Sequence, residues 1–317
     1  MKSYFFFSRF FLFVLCVWGH VWADSSGQCN GTQGIQSQQD SVLACIRELV
    51  DTMPWCHQCT DTSPHGLNAY CQKHWLRPCQ YDRLDYAMTS HYASLMTDND
   101  QTVWEKVIQV CKKYGFVTRV APVRSSYKMI LVMGSTVGDM VHRVRCLNAW
   151  VQTGQLCVDK GTRIMMLVGD RPLTDGEKAI VGCKDIVNEK DIASWVWNKA
   201  GVCDALCSAG YTVVQAEKKK GTKRATTVDT VHALVKNHDV PSSVLVVSTN
   251  PFITHQGHVV RNILANCGAH QTEVHSAGSC TLIPPGMTFL HQGSILLDCL
   301  ARTVYEMQKE HTGACTA

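Results

Sequence analysis

The feature that most restricts the fold is a series of short, continuously apolar segments separated by segments of helical periodicity. The clearest apolar segments are residues 129–133, 163–168, 211–216 and 244–248. Strands that are apolar throughout are buried on both faces, and strands that alternate with helices pair in parallel. The sequence therefore predicts an α/β domain of three layers with a mainly parallel sheet.

The intervening segments predict a set of helices and two weaker strands. The helices are expected at residues 42–50, 102–114, 139–151, 175–181, 191–199, 226–236, 258–265 and 293–309, with a further short helix around Cys203 and Cys207. The weaker strands are expected at residues 116–120 and 273–275. Capping residues before several helices and glycines after them support these boundaries.

The N-terminus has the features of a secretory signal. The apolar core at residues 10–18 is too short to span a bilayer, and Val21-Trp22-Ala23 has small residues at the positions that signal peptidase reads. We therefore expect cleavage after Ala23 and a secreted or periplasmic protein, with an uncleaved membrane anchor as the alternative. No later segment reaches eighteen apolar residues, so no transmembrane span is expected after cleavage.

Composition and charge exclude several classes of protein. The chain has 317 residues, of which 45% are hydrophobic and 18% charged, which excludes a disordered chain or a coiled coil. The formal net charge of +4 falls to +2 when Lys2 and Arg9 leave with the signal. A charge this small excludes a strongly basic nucleic-acid protein, and no nucleic-acid partner is expected.

Cysteines divide the chain into regions. Seventeen are present, and the sixteen that remain without Cys16 are an even number, as expected for disulfides in an exported protein. Six lie between residues 29 and 79, which predicts a small, Cys-rich, mainly helical N-terminal region at residues 24–100. The α/β domain would then cover residues 101–290, and a C-terminal helix and tail would cover residues 291–317.

Two other uses of the N-terminal cysteines remain open. Cys56 and Cys59 have the spacing of a thiol-redox pair, and together with Cys71 and His74 they have the spacing of a zinc knuckle. An exported chain more often oxidises its thiols in pairs, so we expect most of the mature cysteines to form structural disulfides and expect no metal site.

Polar and glycine-rich residues follow each of the first two core strands. Gly134, Ser135 and Thr136 come after the first strand, and Arg143 lies on the next helix. The second strand is followed by residues of the same kind, namely Gly169, Asp170 and Arg171. Ligands of parallel sheets bind beyond the carboxyl ends of the strands, so these residues are candidate ligand contacts. Tight turns and a solvated helix face are the alternatives.

The loops after the third and fourth strands continue the pattern. Candidate ligand contacts there are Arg224, Thr227, Thr230, Ser248, Asn250 and Gln256. Glu177 and Asp229 are the candidate general bases or ligand anchors. Guanidinium groups at Arg143, Arg171 and Arg224 suit an anionic ligand. Helix capping, an Asx turn and surface ion pairs are the alternative explanations for these residues.

The order of these motifs resembles the YdcF/SanA/ElyC-like family. Residues 130–136 with Arg143, 167–173 with Glu177, 224–230, and 247–252 with Gln256 carry the resemblance, which covers residues 127–268. The resemblance implies a Rossmann-like domain and, in exported members, a role in the biogenesis of the bacterial cell envelope. It also implies that an S-adenosylmethionine-like ligand is one candidate for the cleft.

Two functions therefore remain open on the sequence. The first is an exported enzyme that acts on a phosphorylated or nucleotide-like compound, and the second is a non-catalytic envelope factor that binds such a ligand in the same cleft. A thiol-redox or zinc module is a less favoured third. Neither substrate nor oligomeric state follows from these residues.

Overall fold

The computed structural model describes residues 35–53, 59–76, 101–220, 222, 224–280 and 287–312, which belong to one compact unit. The predicted signal peptide at residues 1–23, and residues 54–58 with the first half of the Cys56/Cys59 pair, lie outside the described residues. No helix within the described residues is long and apolar enough to cross a membrane.

Ten helices lie in the described residues. They are α1 (Ile35–Thr52), α2 (Pro64–His74), α3 (Gln101–Lys113), α4 (Val137–Gln152), α5 (Asp175–Val181), α6 (Glu189–Lys199), α7 (Asp204–Ala209), α8 (Thr227–Asn237), α9 (Phe252–Asn266) and α10 (Phe289–Thr312). Side-chain caps fix several of their starts. Thr174, Asn188 and Thr226 each form a capping box with the acidic residue three positions later.

The five strands form one parallel sheet. They are β1 (Met129–Met133), β2 (Arg163–Gly169), β3 (Thr212–Ala216), β4 (Ser243–Asn250) and β5 (Glu273–Cys280), in the spatial order β3-β2-β1-β4-β5. All neighbouring strands run parallel. The prediction of an α/β domain with a parallel sheet is thereby confirmed, and the strand order is consistent with a Rossmann-like fold.

Alternation of side chains explains why the central strand β1 is apolar throughout. Ile130 and Val132 of β1 face a cluster formed by α4 and α6, whereas Met129, Leu131 and Met133 face a cluster formed by α8 and α9. Successive side chains of a strand point to opposite faces, and both faces of this sheet are covered by helices. The sheet is therefore the middle of three layers.

A third apolar cluster joins both ends of the described chain. It consists of buried residues from α1, α2, α3 and α10, with Trp75 and Trp104 among its largest side chains. Helix α10 also packs against α9, and so connects this helical cluster to the sheet. This cluster contains residues from both sides of position 100. The predicted domain boundaries, between residues 100 and 101 and between residues 290 and 291, stay predictions.

The two weaker strand predictions have different outcomes. Residues 116–120 do not form a strand: Phe116 and Val117 are buried in the helical cluster, and only Val120 forms a single antiparallel bridge, with Gly278. By contrast, β5 extends to Cys280 and pairs with β4 over eight residues. A Cβ on Gly278 would lie 2.0 Å from the Ser248 carbonyl oxygen, so this close pairing requires glycine.

Most described cysteines are thiols, in contrast to the expected pairing of most cysteines. The free thiols belong to Cys45, Cys59, Cys111, Cys146, Cys157, Cys183, Cys203, Cys207 and Cys267. They lie in two of the three apolar clusters and in surface loops, so fewer than half of the seventeen cysteines can be paired in this structure. A chain of this length buries enough apolar surface to fold without a dense set of cross-links.

Candidate functional site

The candidate site lies at the carboxyl edge of the sheet. The chain passes outward from β1 to β2 and β3, and then returns to β4 on the other side of β1. The border between β1 and β4 is thus the point where the strand order reverses, and crevices at such points bind ligands in many α/β proteins. The loops after β1, β2, β3 and β4 all meet at this edge, as the sequence predicted.

Arg143 lies at this border and is completely buried. From α4 its guanidinium donates to the carbonyl oxygens of Met133 (2.5 Å) and Gly134 (2.9 Å), and to Thr249 Oγ1 of β4 (2.9 Å). Burial lowers the pKa of Arg143, and its Nε has no hydrogen-bond partner in the described part of the chain. This arginine joins β1 to β4 and cannot touch a ligand in the present conformation.

Arg171 forms an ion-pair cluster with two glutamates. It binds Glu177 in a fork, with both nitrogen–oxygen distances at 2.7 Å, and its Nε donates to Glu189 Oε2 at 2.9 Å. A further bond of 3.0 Å to the Ser135 carbonyl ties the loop after β2 to the loop after β1. The three charged side chains are about nine-tenths buried. The Arg171 guanidinium is therefore saturated by internal carboxylates.

Glu177, a candidate general base, occupies the N-terminus of α4. Its Oε1 accepts from the Val137 N–H at 3.2 Å, and its Oε2 accepts from the backbone and hydroxyl of Thr174. Burial alone would raise the pKa of Glu177, but the bonds from Arg171 and Thr174 outweigh burial and lower the pKa to about 2. A permanently ionised carboxylate held by five donors is a poor proton acceptor at neutral pH.

Glu189, at the first residue of α6, is the acidic residue that sequence reasoning missed. It is 5% exposed, and burial raises its pKa although Arg171 acts in the opposite direction. A Cβ on Gly134 would lie 2.2 Å from Glu189 Oε1 and 2.4 Å from the Leu167 carbonyl oxygen, so Gly134 is needed for this contact. The capping residue Asn188 just before Glu189 was the available signal, because it places the helix start and hence Glu189 at this edge.

The start of α8 contributes a third part of the edge. Asp229, the other candidate base, bonds the Thr226 backbone and hydroxyl and pairs with Lys219 at 3.0 Å. Burial raises the pKa of Asp229, but these bonds outweigh it and the pKa is lowered. Arg224, just before this helix, is half-buried and lies near enough to Glu189 to act on its charge. Gly169 packs against the neighbouring Ala225, whose carbonyl oxygen a Cβ on Gly169 would approach to 3.3 Å.

Polar residues at the end of β4 bond to residues of nearby helices and loops. Ser248 donates to Gln256 Oε1, and Gln256 Nε2 donates to Thr227 Oγ1 at 3.4 Å, which links β4, α9 and α8. Thr230 is buried and bonds the Thr227 carbonyl within α8. Asn250 instead donates to backbone carbonyls of residues 115 and 118, which cross the ends of β4 and β5.

Open space is found farther along the same edge, at the carboxyl ends of β2 and β3. A pocket of about 400 Å³ is lined there by Asp170, Gln215, Glu217 and Lys218. Its volume lies within the range of small-molecule sites. Asp170 is the predicted site residue that reaches this pocket. No group of three or more His, Cys, Asp or Glu side chains in the described ranges is arranged to hold a metal ion.

The replacement Arg171→Ala is expected to lower the free energy of unfolding by about 3–5 kcal/mol, because it leaves two buried carboxylates without their partner. Arg145→Ala, on the exposed face of α4, is the matched control and should change it by less than about 0.5 kcal/mol. Urea unfolding measures both. Equal stability of the two variants would show that Arg171 forms no effective ion pair.

The depressed pKa of Glu177 predicts a specific dependence of stability on pH. The pKa is about 2 in the folded chain against an ordinary value of 4.5, so the contribution is complete above pH 4.5 and is lost as the pH falls toward 2. The shift corresponds to about 3 kcal/mol. Chemical unfolding between pH 7 and pH 2 should show a smaller loss of stability for Glu177→Gln than for the wild type. Identical pH profiles would contradict the assignment.

Comparisons with known proteins identified no relative of this chain. A scan of protein families, a search of curated proteins and a search of solved structures each found no match to this chain. Roles for the residues at the carboxyl edge therefore rest on their geometry and on the motifs in the sequence.

Proposed function

We propose that the protein binds a small, polar, nucleotide-like ligand at the carboxyl edge of its parallel sheet. The observation that carries this proposal is the partly exposed Asp170 at the end of β2, on the wall of a pocket of about 400 Å³. In dinucleotide-binding folds that begin with this strand order, an acidic residue that follows the glycine-rich turn binds a ribose hydroxyl. Glu217, on the same wall, offers a second acceptor.

Two cations of the carboxyl edge, one of them on the pocket wall, support an anionic group on the ligand. Lys218 lines the pocket, and the half-buried Arg224 stands before α8. Lys219 pairs with Asp229 and is not assigned to the ligand. We assign the acidic wall to the hydroxyl groups of the ligand, and Lys218 and Arg224 to its anion.

The occupied N-terminus of α4 argues against one common binding mode. A dinucleotide places its pyrophosphate on the helix that follows the first strand. Here the Glu177 carboxylate accepts from the Val137 N–H in that position. Like charges would repel a phosphate there, which favours a mononucleotide or an S-adenosylmethionine-like nucleoside over a dinucleotide.

The contacts of the candidate catalytic residues favour a ligand-binding protein over an enzyme. Glu177 and Asp229 are both capping residues with depressed pKa values, and each is held by an ion pair. Glu189 has a raised pKa, but it is buried and paired with Arg171, so it is not presented to a ligand as an acid catalyst would be. The contacts thus favour a ligand-binding factor, and we retain membership of the YdcF/SanA/ElyC-like family and a role in the cell envelope as parts of the proposal.

Titration with adenosine monophosphate and with S-adenosylmethionine tests this proposal. Arg224→Ala should weaken binding of the monophosphate by about 1.5–3 kcal/mol, the scale of a charge-assisted hydrogen bond. Asp170→Ala should weaken binding of both compounds by about 1–3 kcal/mol, because both present ribose hydroxyls.

Arg145→Ala serves as the control for these titrations, because Arg145 is exposed on α4. Calorimetry should find its affinities equal to those of the wild type. Failure of the wild type to bind either compound, or unchanged affinities in both test variants, would refute a nucleotide-like ligand at this edge.

Export through the N-terminal signal is a further part of the proposal. It rests on the apolar core at residues 10–18 and on the Val21-Trp22-Ala23 site. Mass spectrometry of the chain from its native host should find Asp24 as the first residue. Recovery of residues 1–23 on the mature chain would contradict cleavage.

A further inference from the structure

Two buried thiols from different helices meet inside the helical cluster. Cys45 of α1 and Cys111 of α3 both have no exposed surface, and helices α1 and α3 pack against each other. The Cys111 thiol hydrogen-bonds the sulfur of Cys45. The fold thus brings together two cysteines that are far apart in the sequence, in a way that the spacing of cysteines does not reveal.

Cys299 of α10 is the third cysteine in this part of the core. It lies near enough to Cys111 to act on its ionisation. Its thiol donates to the Pro251 carbonyl oxygen at 3.0 Å, however, and so is directed toward the end of β4. Cys45 is therefore the better placed partner for Cys111.

We propose that Cys45 and Cys111 form a disulfide bond when the protein folds in an oxidising environment. In the reaction, a small-molecule disulfide such as glutathione disulfide is attacked by one cysteine thiolate and releases one thiol. The second cysteine then attacks the mixed disulfide and releases the other thiol. The protein loses two electrons and two protons, and the oxidant gains both as two thiols.

Burial decides when this bond can form. The hydrogen bond to Cys45 and desolvation raise the pKa of Cys111 well above its ordinary value, and the thiolate is the species that attacks disulfides. In the folded, reduced protein an oxidant also has no access to either buried sulfur, so the pair reacts slowly. The cross-link forms during folding, before the helical cluster closes, and is afterwards protected from reductants by the same burial.

Refolding of the full chain in a glutathione redox buffer tests the pairing. The chain is reduced in denaturant, refolded, alkylated and digested with trypsin and an Asp-specific protease. We expect a disulfide-linked pair of peptides, residues 40–47 and 107–112, each of which contains one cysteine. The oxidised protein should also melt roughly 5–10 °C above the reduced protein, since the bond restricts the unfolded chain.

Variants separate this bond from other pairings. Cys45→Ala and Cys111→Ala should each abolish the linked peptides and leave the remaining partner alkylated. Cys157→Ser, which changes an exposed thiol, should retain them. The mapping of the wild type does not depend on whether a variant folds. Recovery of the two wild-type peptides separately alkylated, or linked to other cysteines, from protein with native circular dichroism would overturn the proposal.

Discussion

The buried guanidinium of Arg143 holds together β1 and β4, the two strands between which the strand order reverses. It binds the carbonyl groups at the end of β1 and the Thr249 hydroxyl of β4. Burial of a charge is costly unless it is compensated by hydrogen bonds, so the bonds from the two terminal nitrogens of Arg143 hold these groups in their present positions. The loop after β1 is held by the same bonds, and Arg171 then bonds the next carbonyl, that of Ser135. Arg143 therefore holds the end of β1, and Arg171 holds the loop that follows it.

Internal carboxylates account for much of the remaining charge at this edge. Glu177 and Glu189 neutralise Arg171, and Glu177 also satisfies an amide at the start of α4. The protein thereby provides its own anion where many α/β proteins accept one from a ligand. The polar side chains that line open space are found instead at the ends of β2 and β3, where Asp170 and Glu217 line the pocket.

The sequence predicted the layers of the fold better than the state of its polar residues. Strand β1 and helix α5 were predicted at their observed bounds because apolar runs and caps are local signals. The prediction of a strand at residues 116–120 was wrong, because burial in a helical cluster and burial in a sheet produce the same apolar pattern. The cluster around Arg171 was not predicted, because its partners Glu177 and Glu189 meet it only through the conformations of two loops.

The position of α10 sets the order in which the helical cluster can be completed. Helices α1 to α3 are synthesised first, yet α10, at the opposite end of the described chain, supplies a wall of their core. At about 5–20 residues per second, the ribosome needs roughly ten to thirty-five seconds to pass from α3 to α10. During that interval the apolar faces of the first three helices remain open to chaperones and oxidants, so the early helices complete their core only once α10 has emerged.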